Sequence, residues 1–451
     1  MAGRFHLVTL GCPKNAVDSD KIAAALGADG LTPTDDVHDA DVVVVNTCAF
    51  IEDARRESVD TILALSDLRR AGARLVVTGC MAERYGDELA DALPEADAVV
   101  GFAGAGRIAE VSFGGRRPKS GRAAPVGVRD LLELPRAAPS APWAYLKVAE
   151  GCDRACAFCA IPSFRGKQRS RTPDAIVDEA RSLVTGGVRE LVLVAQDLAW
   201  YGRDIGAPGT LAPVLRRLDA ELAADGLARV RLLYLYPSEV KDPLVAAMLE
   251  LPTVVPYFDL SLQHASRGLL ARMARWGSGE RFLSIIDDIR SRAPEATFRS
   301  SFIVGFPGET ESDHDELMAF LDAARLDWAG IFGFSPEEGT AAATLDDRVP
   351  ERLMAERIRE CEERQTAITQ AARDTLCADG AVLQVLVDAV VDGVAVGRTH
   401  REAPEIDGVV EIETVRGEAP PVPGSIVEAV ATDALGPDLF ARGVVGAGEV
   451  R

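Results

Sequence analysis

The first hundred residues alternate short apolar runs with amphipathic stretches. Three runs rich in β-branched residues lie at positions 5–10, 42–45 and 75–77. Stretches with the period of a helix follow them, at positions 18–28, 50–70 and 82–93. Strands that alternate with helices along a chain form a parallel sheet with helices on both faces. The pattern therefore predicts an N-terminal α/β domain with a doubly wound parallel sheet.

The same alternation continues from residue 143 to residue 334. Six predicted strands occupy positions 143–149, 190–195, 230–235, 257–262, 297–304 and 328–334. The helices predicted between them occupy positions 173–184, 211–222, 238–251, 280–292 and 311–324. Six strands are fewer than the eight that close a TIM barrel. We therefore expect an open barrel of six βα units, whose reactive mouth lies at the carboxyl ends of the strands.

The C-terminal third begins with a long helix and then changes character. The helix is predicted at positions 350–376, where apolar side chains recur at steps near three and four. Short β-rich runs separated by glycine and proline follow at positions 381–387, 394–398, 408–412, 425–431 and 439–445. Such a series of short strands predicts a small five-stranded barrel.

The length of the chain limits the number of domains, and its net charge argues against one class of function. The 451 residues suggest roughly two to four domains. The formal net charge of −21 argues against broad nucleic-acid binding, which requires a positive surface. A local basic patch is nevertheless predicted at Arg165, Lys167, Arg169 and Arg171. The sequence has no long apolar run and no signal-peptide pattern, so we expect no membrane segment and a cytoplasmic location.

Three cysteines follow the first strand of the predicted barrel. Cys152, Cys156 and Cys159 have the spacing C-x-x-x-C-x-x-C. Soft thiolate ligands favour iron–sulfur, zinc or copper(I). A structural zinc site needs four ligands, and no fourth cysteine or histidine lies within the next hundred residues. Three thiolates can instead hold a four-iron cluster with one open iron. A zinc loop completed from a distance and three unrelated core thiols remain the alternatives.

Each predicted strand of the N-terminal domain ends close to a cysteine, namely Cys12, Cys48 and Cys80. Residues just past the carboxyl ends of parallel strands gather along one edge of the sheet. A single buried cysteine at a strand end is usually inert packing. Three of them at equivalent positions are hard to attribute to packing. We therefore predict a second site with three thiolate ligands and interpret it as a second iron–sulfur cluster with an open iron.

The loop from Cys152 to Cys159, with the aromatic Phe158 before its last cysteine, resembles the signature of the radical S-adenosylmethionine (SAM) enzymes. In that family the open iron of a 4Fe-4S cluster binds SAM, and one electron cleaves SAM to a 5′-deoxyadenosyl radical. The resemblance implies that Gln196 and Asp197, after the second strand, hold the amino group of SAM. It also implies an adenine contact at Gly305 and Gly308, after the fifth strand, although glycines equally serve tight turns.

Along essentially its whole length the chain resembles the methylthiotransferases. The resemblance implies a flavodoxin-like domain (residues 3–115), an open (β/α)6 radical SAM core (138–372) and a small antiparallel β-barrel called TRAM (373–445). That family adds a methylthio group across an unactivated C–H bond. Its members use two 4Fe-4S clusters, two SAM molecules per turnover and an electron donor of the flavodoxin or ferredoxin type. The N-terminal cysteines would bind the cluster at which sulfur is methylated, and Cys152, Cys156 and Cys159 the cluster that cleaves SAM.

Three segments resemble the branch of that family that modifies a ribosomal protein: residues 10–15 (LGCPKN), 161–166 (IPSFRG) and 403–408 (APEIDG). The implied substrate is an aspartate, modified at its β-carbon, of the small-subunit ribosomal protein at the decoding centre. From Leu376 onward the chain carries 13 acidic and 5 basic side chains, a net charge of −8. Such a surface would attract a basic protein and repel phosphate. A tRNA adenosine methylthiotransferase and a non-catalytic iron–sulfur or zinc scaffold remain the alternatives.

Overall fold

A computed structural model of the chain describes residues 3–113, 130–413 and 420–443. The predicted domain limits at residues 115 and 445 lie outside these ranges, as does part of the predicted last strand. Within the ranges, the strands form a five-stranded sheet, a six-stranded sheet, a two-stranded sheet and a closed five-stranded barrel. None of the described helices is both long and apolar enough to cross a membrane.

The N-terminal unit is a parallel sheet covered by helices on both faces. Its strands are β1 (Arg4–Thr9), β2 (Thr32–Pro33), β3 (Val42–Thr47), β4 (Arg74–Gly79) and β5 (Ala98–Val100). Its helices are α1 (Pro13–Ala28), α2 (Glu52–Leu68), α3 (Cys80–Ala92) and α4 (Ile108–Phe113). The strand order β2-β1-β3-β4-β5 is that of flavodoxin-like folds, which confirms the predicted fold.

The start of α1 lies earlier than the predicted position 18. It begins at Pro13, whose fixed φ and missing N–H suit the first turn of a helix. Successive residues of the neighbouring strand β3 face opposite cores. Val42 and Val44 pack in the cluster that contains Ile22 of α1, whereas Val43 packs in the cluster on the other face. This alternation explains why the strand is apolar at every position from 42 to 45.

The middle unit is an open barrel with parallel strands. Its strands are β6 (Trp143–Lys147), β9 (Glu190–Val194), β10 (Arg229–Leu235), β11 (Val254–Gln263), β12 (Thr297–Val304) and β13 (Trp328–Gly333). They pair in chain order, and the first and last strands do not meet, so the predicted open barrel is confirmed. Two short strands, β7 (Ala149–Glu150) and β8 (Arg169–Ser170), pair separately with each other.

The helices of the middle unit agree with the predicted ones except at two places. They are α5 (Ile161–Arg165), α6 (Pro173–Thr185), α7 (Leu211–Leu222), α8 (Asp242–Glu250), α9 (Arg267–Arg272), α10 (Gly279–Arg292) and α11 (Glu311–Ala324). The helix predicted at 238–251 begins only at residue 242, after a separate 3-10 turn at Pro237–Glu239. Pro243 lies in the first turn of α8, where a missing N–H costs nothing. The short helices α5 and α9 are absent from the prediction.

The C-terminal unit is a closed barrel that follows the long helix α12 (Glu351–Ala378). Its strands are β14 (Val382–Val391), β15 (Val394–Arg398), β16 (Val410–Glu413), β17 (Ile426–Leu435) and β18 (Asp438–Gly443). The pairings are antiparallel, as predicted, except that β16 and β18 are parallel. A ring of five strands cannot alternate direction at every step, so one parallel pair is unavoidable.

Both outer units insert into the open barrel from opposite ends. Val17 of α1 and Ala403, in the loop after β15, belong to one buried cluster that also contains Val192, Leu233 and Tyr257 of the barrel strands. The loop after β15 meets the amino ends of the strands. Trp328, the first residue of β13, donates from its indole nitrogen to the carbonyl oxygen of Arg401 at 2.6 Å. The N-terminal unit therefore meets the carboxyl ends, where the reactive mouth is expected.

Buried ion pairs fasten the C-terminal barrel to the middle unit. Glu190, the first residue of β9, is fully buried. Its carboxylate accepts hydrogen bonds from Arg231 Nε and from Arg398 Nη1, each at 2.8 Å. Burial alone would raise the pKa of Glu190, but the positive charges of Arg398 and Arg231 outweigh it and lower the pKa to about 2.

Some of the acidic residues of the C-terminal barrel serve this interface rather than an outer surface. Glu402 is fully buried, and Arg373 Nη1 lies 2.6 Å from its carboxylate. Asp407 Oδ1 lies 3.4 Å from Arg299 Nε of the middle unit. The net charge of −8 therefore overstates the acidic surface that this unit presents to a partner.

We expect Glu190→Gln to destabilise the protein strongly, because it removes the counter-ion of the buried Arg231 and one of the two carboxylates that Arg398 contacts. A loss of about 3–5 kcal/mol is typical of such a change. The unfolding midpoint in urea measures it. Since the folded pKa of Glu190 is depressed, its stabilisation is present above about pH 4.5 and is lost as pH falls towards 2. The variant should therefore show a flatter dependence of stability on pH across that window.

The matched control is Glu221→Gln, which removes a partly exposed partner of Arg217 and Arg181. Such surface pairs contribute about 0–1 kcal/mol, so this variant should unfold close to the unaltered chain. Equal midpoints for both variants would contradict the assigned role of Glu190.

Candidate active site formed by two groups of cysteines

The N-terminal cysteines lie at the carboxyl ends of three neighbouring strands. Cys12 follows β1 and caps the start of α1, Cys48 follows β3, and Cys80 follows β4 as the first residue of α3. Gly11 shows how close two of these loops come. A Cβ atom on Gly11 would lie 2.9 Å from Cys48 Sγ. The structure therefore brings these residues to one edge of the sheet, as the parallel topology predicts.

Asn15 fixes the three loops relative to one another. Its side-chain nitrogen donates to the carbonyl oxygens of Leu10 at 2.8 Å and of Thr47 at 3.0 Å, just before Cys12 and Cys48. Its side-chain oxygen lies 3.5 Å from Cys80 Sγ, which donates to it. One amide side chain thus contacts all three loops that carry the cysteines.

Burial and neighbouring cations shift the pKa values of these thiols in opposite directions. Burial raises the pKa of Cys48 to about 12 and also raises that of Cys80. Burial acts in the same direction on Cys12, but the charges of Lys14 and Arg165 outweigh it and lower the pKa of that thiol. Because thiolates are the metal ligands, metal binding here must displace protons from Cys48 and Cys80.

The second group of cysteines lies in the loop between β7 and β8: Cys152, Cys156 and Cys159. The backbone nitrogen of Cys152 donates to the carbonyl oxygen of Gly166 at 3.1 Å, which ties the two ends of the loop together. Gly151 has a φ of +81°, and a Cβ atom there would lie 2.2 Å from the carbonyl oxygen of Lys167. Only glycine fits at this position.

Two arginines border the second thiol group. The backbone nitrogen of Arg154 donates to Cys152 Sγ, and Arg275 Nη1 donates to Cys156 Sγ, both at 3.4 Å. Both guanidinium groups lie over the ring of Tyr236, at 3.8 and 4.0 Å from its centroid. The arginines bring positive charge next to sulfur, which stabilises thiolates.

The donor set at both places fits an iron–sulfur cluster. Burial raises the pKa of Cys152 to about 11 and that of Cys159 to about 12, so a metal must displace their protons as well. Within the described ranges, no group of three or more His, Cys, Asp or Glu side chains has the geometry for a single ion. Thiolates of a multi-iron cluster each bind a different iron and therefore lie farther apart than the ligands of one ion.

Gln196 and Asp197 lie just after β9, next to the second thiol group. Asp197 Oδ2 accepts from Arg154 Nε at 2.7 Å, and Gln196 Nε2 donates to Glu150 Oε1 at 2.5 Å. The side-chain oxygen of Gln196 and the second carboxylate oxygen of Asp197, Oδ1, are buried and have no hydrogen-bond partner among the described residues. Two such acceptors side by side can receive hydrogen bonds from a bound donor. An amino group such as that of SAM fits.

Gly305 and Gly308 lie after β12, where the packing of the chain itself accounts for them. Both have a φ of +82°. A Cβ atom would lie 2.5 Å from Met354 Sδ at Gly305 and 2.4 Å from Arg272 Cζ at Gly308. The predicted adenine contact at these two glycines stays a prediction.

Arg165, the last residue of α5, connects the first thiol group to Glu150, two residues before Cys152. Its Nη2 donates to Cys80 Sγ at 3.1 Å and to Asn15 Oδ1 at 2.6 Å. Its Nη1 donates to both carboxylate oxygens of Glu150, at 2.8 and 2.9 Å. Glu150 also accepts from Gln196. Hydrogen bonds therefore run without a break from Cys80 through Arg165 and Glu150 to Gln196.

The basic patch predicted at Arg165, Lys167, Arg169 and Arg171 does not form. Arg165 and Arg171 are buried, and Arg171 Nη1 lies 2.7 Å from the carboxylate of Glu179. Arg169 is exposed but pairs with Asp130 at 2.5 Å. A run of like charges in the sequence did not become a positive surface, because acids from other elements pair with it.

Asn15, Glu150 and Arg154 are absent from the predicted site. Each of them lies within three residues of a cysteine that the sequence analysis singles out. Polar side chains that flank predicted ligands are the signal that could have found them, since such residues commonly orient the ligands.

The other cysteines and His264 have structural roles. Cys361 is buried, with its sulfur 3.7 Å from Met318 Sδ, and Cys377 packs against the core of the C-terminal barrel. His264 Nδ1 accepts from the backbone nitrogen of Ser266 at 3.0 Å. Burial lowers the pKa of His264 to about 4, so its ring is neutral at pH 7.

Three family models match the chain in succession. Residues 4–101 match the uncharacterized protein family UPF0004, residues 146–321 the radical SAM superfamily, and residues 380–444 the TRAM domain. Among solved structures, the radical SAM methyltransferase TsrM from Kitasatospora setae, with cobalamin and a 4Fe-4S cluster bound, is similar with a TM-score of 0.53. The similarity covers 76% of this chain and 77% of that chain at 16% identity, so it supports the fold alone.

Similarity in sequence extends over nearly the whole chain. The chain is 43% identical to the ribosomal protein uS12 methylthiotransferase RimO of Kineococcus radiotolerans, with 98% of this chain and 97% of that protein covered. It is 46% identical to the protein of the same name from Moorella thermoacetica, with 94% and 95% covered. The protein from Streptomyces coelicolor is 43% identical, with 98% and 97% covered. Identity at this level over this length shows that the chain belongs to the ribosomal protein uS12 methylthiotransferase family of radical SAM enzymes.

Proposed function

We propose that the chain transfers a methylthio group to the β-carbon of an aspartate in ribosomal protein uS12. The observation that carries this proposal is the presence of two groups of three cysteines with Arg165 between them. Arg165 donates to Cys80 of the first group and to Glu150, which precedes Cys152 of the second group by two residues. An enzyme that only generates a radical needs one such group. A second group at a fixed separation suits a reaction in which a sulfur-containing group must reach the carbon that the first group activates.

The proposed cofactors are two 4Fe-4S clusters, one on Cys12, Cys48 and Cys80 and the other on Cys152, Cys156 and Cys159. When bound, the clusters and SAM supply one-electron chemistry and the methylthio group, which amino-acid side chains cannot provide. The proposal includes two SAM molecules per turnover and an electron donor of the flavodoxin or ferredoxin type.

The side chains of the protein bind and orient the reactants. We assign Gln196 Oε1 and Asp197 Oδ1 to the amino group of SAM, because both are buried acceptors without a partner among the described residues. We assign the backbone at Gly305 and Gly308 to the adenine. Arg165 holds Glu150, and Glu150 holds Gln196, so the orientation of the SAM contact is tied to the position of Cys80.

The proposed domains are residues 3–115, 138–372 and 373–445. Helix α12 runs across the limit between the second and the third, and the buried pairs Glu190–Arg398 and Arg299–Asp407 join the same two units. The TRAM barrel is therefore held firmly against the radical SAM core. Because the proposed substrate is a ribosomal protein, we propose the cytoplasm as the compartment.

Modification of uS12 should be detectable with purified components. Reconstituted protein, SAM and a reductant are incubated with uS12 or with a tRNA anticodon stem-loop, and mass spectrometry follows both. We expect a methylthio group on one aspartate of uS12 and none on the RNA. A modified adenosine with unmodified uS12 would favour the tRNA alternative, and bound iron without SAM cleavage would favour the scaffold.

Replacing Cys152, Cys156 and Cys159 by alanine should reduce 5′-deoxyadenosine formation to background, because the proposed SAM-binding iron is lost. Iron should fall from about eight to about four atoms per chain, the content of one remaining cluster. Cys377→Ala, at a cysteine outside both groups, should change neither value. Survival of SAM cleavage in the triple variant would contradict the assignment.

Replacing Cys12, Cys48 and Cys80 by alanine should have the opposite effect. Reductive SAM cleavage should persist, with about four irons retained per chain. Methylthio transfer to uS12 should stop, because the second proposed cluster is absent. If methylthio transfer continues in this variant, these three cysteines serve only in packing.

A further inference from the structure

Lys14 is a buried cation at the junction between the N-terminal cysteines and the open barrel. It lies in the first turn of α1, two positions after Cys12, and it is only 8% exposed. Its Nζ lies 3.4 Å from the centroid of the Tyr234 ring, on the barrel strand β10. The ammonium group therefore points from the sheet edge that carries Cys12 towards the interior of the barrel.

No carboxylate of the described residues lies within ion-pair distance of Lys14 Nζ. The acids of the surrounding network are engaged by other cations. Asp18 pairs with Lys147 and Arg165, Glu150 pairs with the same two residues, and Asp259 pairs with Arg299 at 3.0 Å. Burial would lower the pKa of Lys14, and the charge of Cys12 is the largest effect that raises it. In the proposed enzyme that sulfur is bound to a cluster, and an aromatic face compensates for only part of the cost of burying an ammonium. A carboxylate ligand would compensate for the rest.

Tyr234 is held beneath Lys14 in an unfavourable backbone conformation. Its φ is +64°, which is rare for a large aromatic residue, and the pairing of β10 with β11 shifts register around it. Its backbone nitrogen donates to Asp259 Oδ2 at 2.9 Å, and Arg299 holds the other oxygen of that carboxylate. Strain of this kind persists where the surroundings enforce it, and it is concentrated at functional sites.

We propose that Lys14 and Tyr234 form a carboxylate-binding site, which anchors the side chain of the target aspartate. The inference rests on the proposed function and specifies how the substrate is held. The γ-carboxyl carbon of aspartate is bonded directly to the β-carbon. Fixing the carboxylate at Lys14 therefore places the carbon to be modified at the interface between Cys12 and the barrel interior. Lys14 is a specificity-determining residue in this assignment.

A double-substitution experiment tests the assignment through binding rather than turnover. Dissociation constants of the reconstituted full-length chain are measured for uS12 and for uS12 with asparagine in place of its target aspartate. Because Lys14 would donate a charged hydrogen bond to the carboxylate, we expect the unaltered chain to bind the aspartate form more tightly than the asparagine form, by roughly tenfold to a hundredfold. Lys14→Met should bind both forms equally, and Lys14→Arg should keep most of the preference. Lys241→Met, at an exposed lysine, should keep all of it.

Because Lys14 also acts on the thiol of Cys12, the iron content of every variant is measured, and the two forms of uS12 are compared within each variant, so that a change at the cluster affects both forms alike. Lys14→Met should retain SAM cleavage, which depends on the other thiol group. If it does not fold, Lys14→Gln provides a second neutral side chain for the same comparison. The inference is overturned if the neutral variant keeps the preference for aspartate. It is also overturned if the substitution lowers the affinity for both forms of uS12 by the same factor. If the unaltered chain binds neither form, the proposed function itself fails.

Discussion

A buried guanidinium needs partners on every side, and Arg165 finds them on three separate elements. Asn15 and Asp18 come from α1, Glu150 from β7, and Cys80 from the start of α3. Because an unpaired buried charge is far more costly than a paired one, these elements cannot separate independently. Arg165 therefore holds the sheet edge that carries Cys80 against the strand that leads into the second group of cysteines. The proposed chemistry depends on this arrangement.

The open barrel is suited to this arrangement because it has two accessible ends. The end of β15 and the loop after it close the amino ends of the strands, through contacts to the first residues Glu190, Arg229 and Trp328. The N-terminal unit covers the carboxyl ends, with Val17 reaching the buried cluster inside the barrel. A barrel closed by eight strands fills its own interior with side chains. A six-stranded open barrel instead leaves room that neighbouring units can enter, and here both neighbours do.

The topology of the site could be predicted from the sequence, but its charge network could not. Parallel strands bring residues after their carboxyl ends together whatever the details of packing, so Cys12, Cys48 and Cys80 converge as expected. The burial of Arg165 depends on Glu150 and Asp18, which are distant in sequence from each other. No local pattern distinguishes it from the exposed Lys167. The close packing of Met354 against Gly305 likewise involves a helix that is fifty residues away in the sequence.

The net charge of the whole chain is negative, whereas the charge next to Cys12 is positive. The chain carries a net charge of −21, which attracts a basic protein and repels RNA over distances of about 10 Å at 0.1 M salt. Next to Cys12, in contrast, Lys14 places a buried positive charge that has no carboxylate partner among the described residues. A basic protein that presents one aspartate satisfies both conditions, whereas an RNA loop satisfies neither. The long-range field would then select the partner, and the buried ammonium would select the residue.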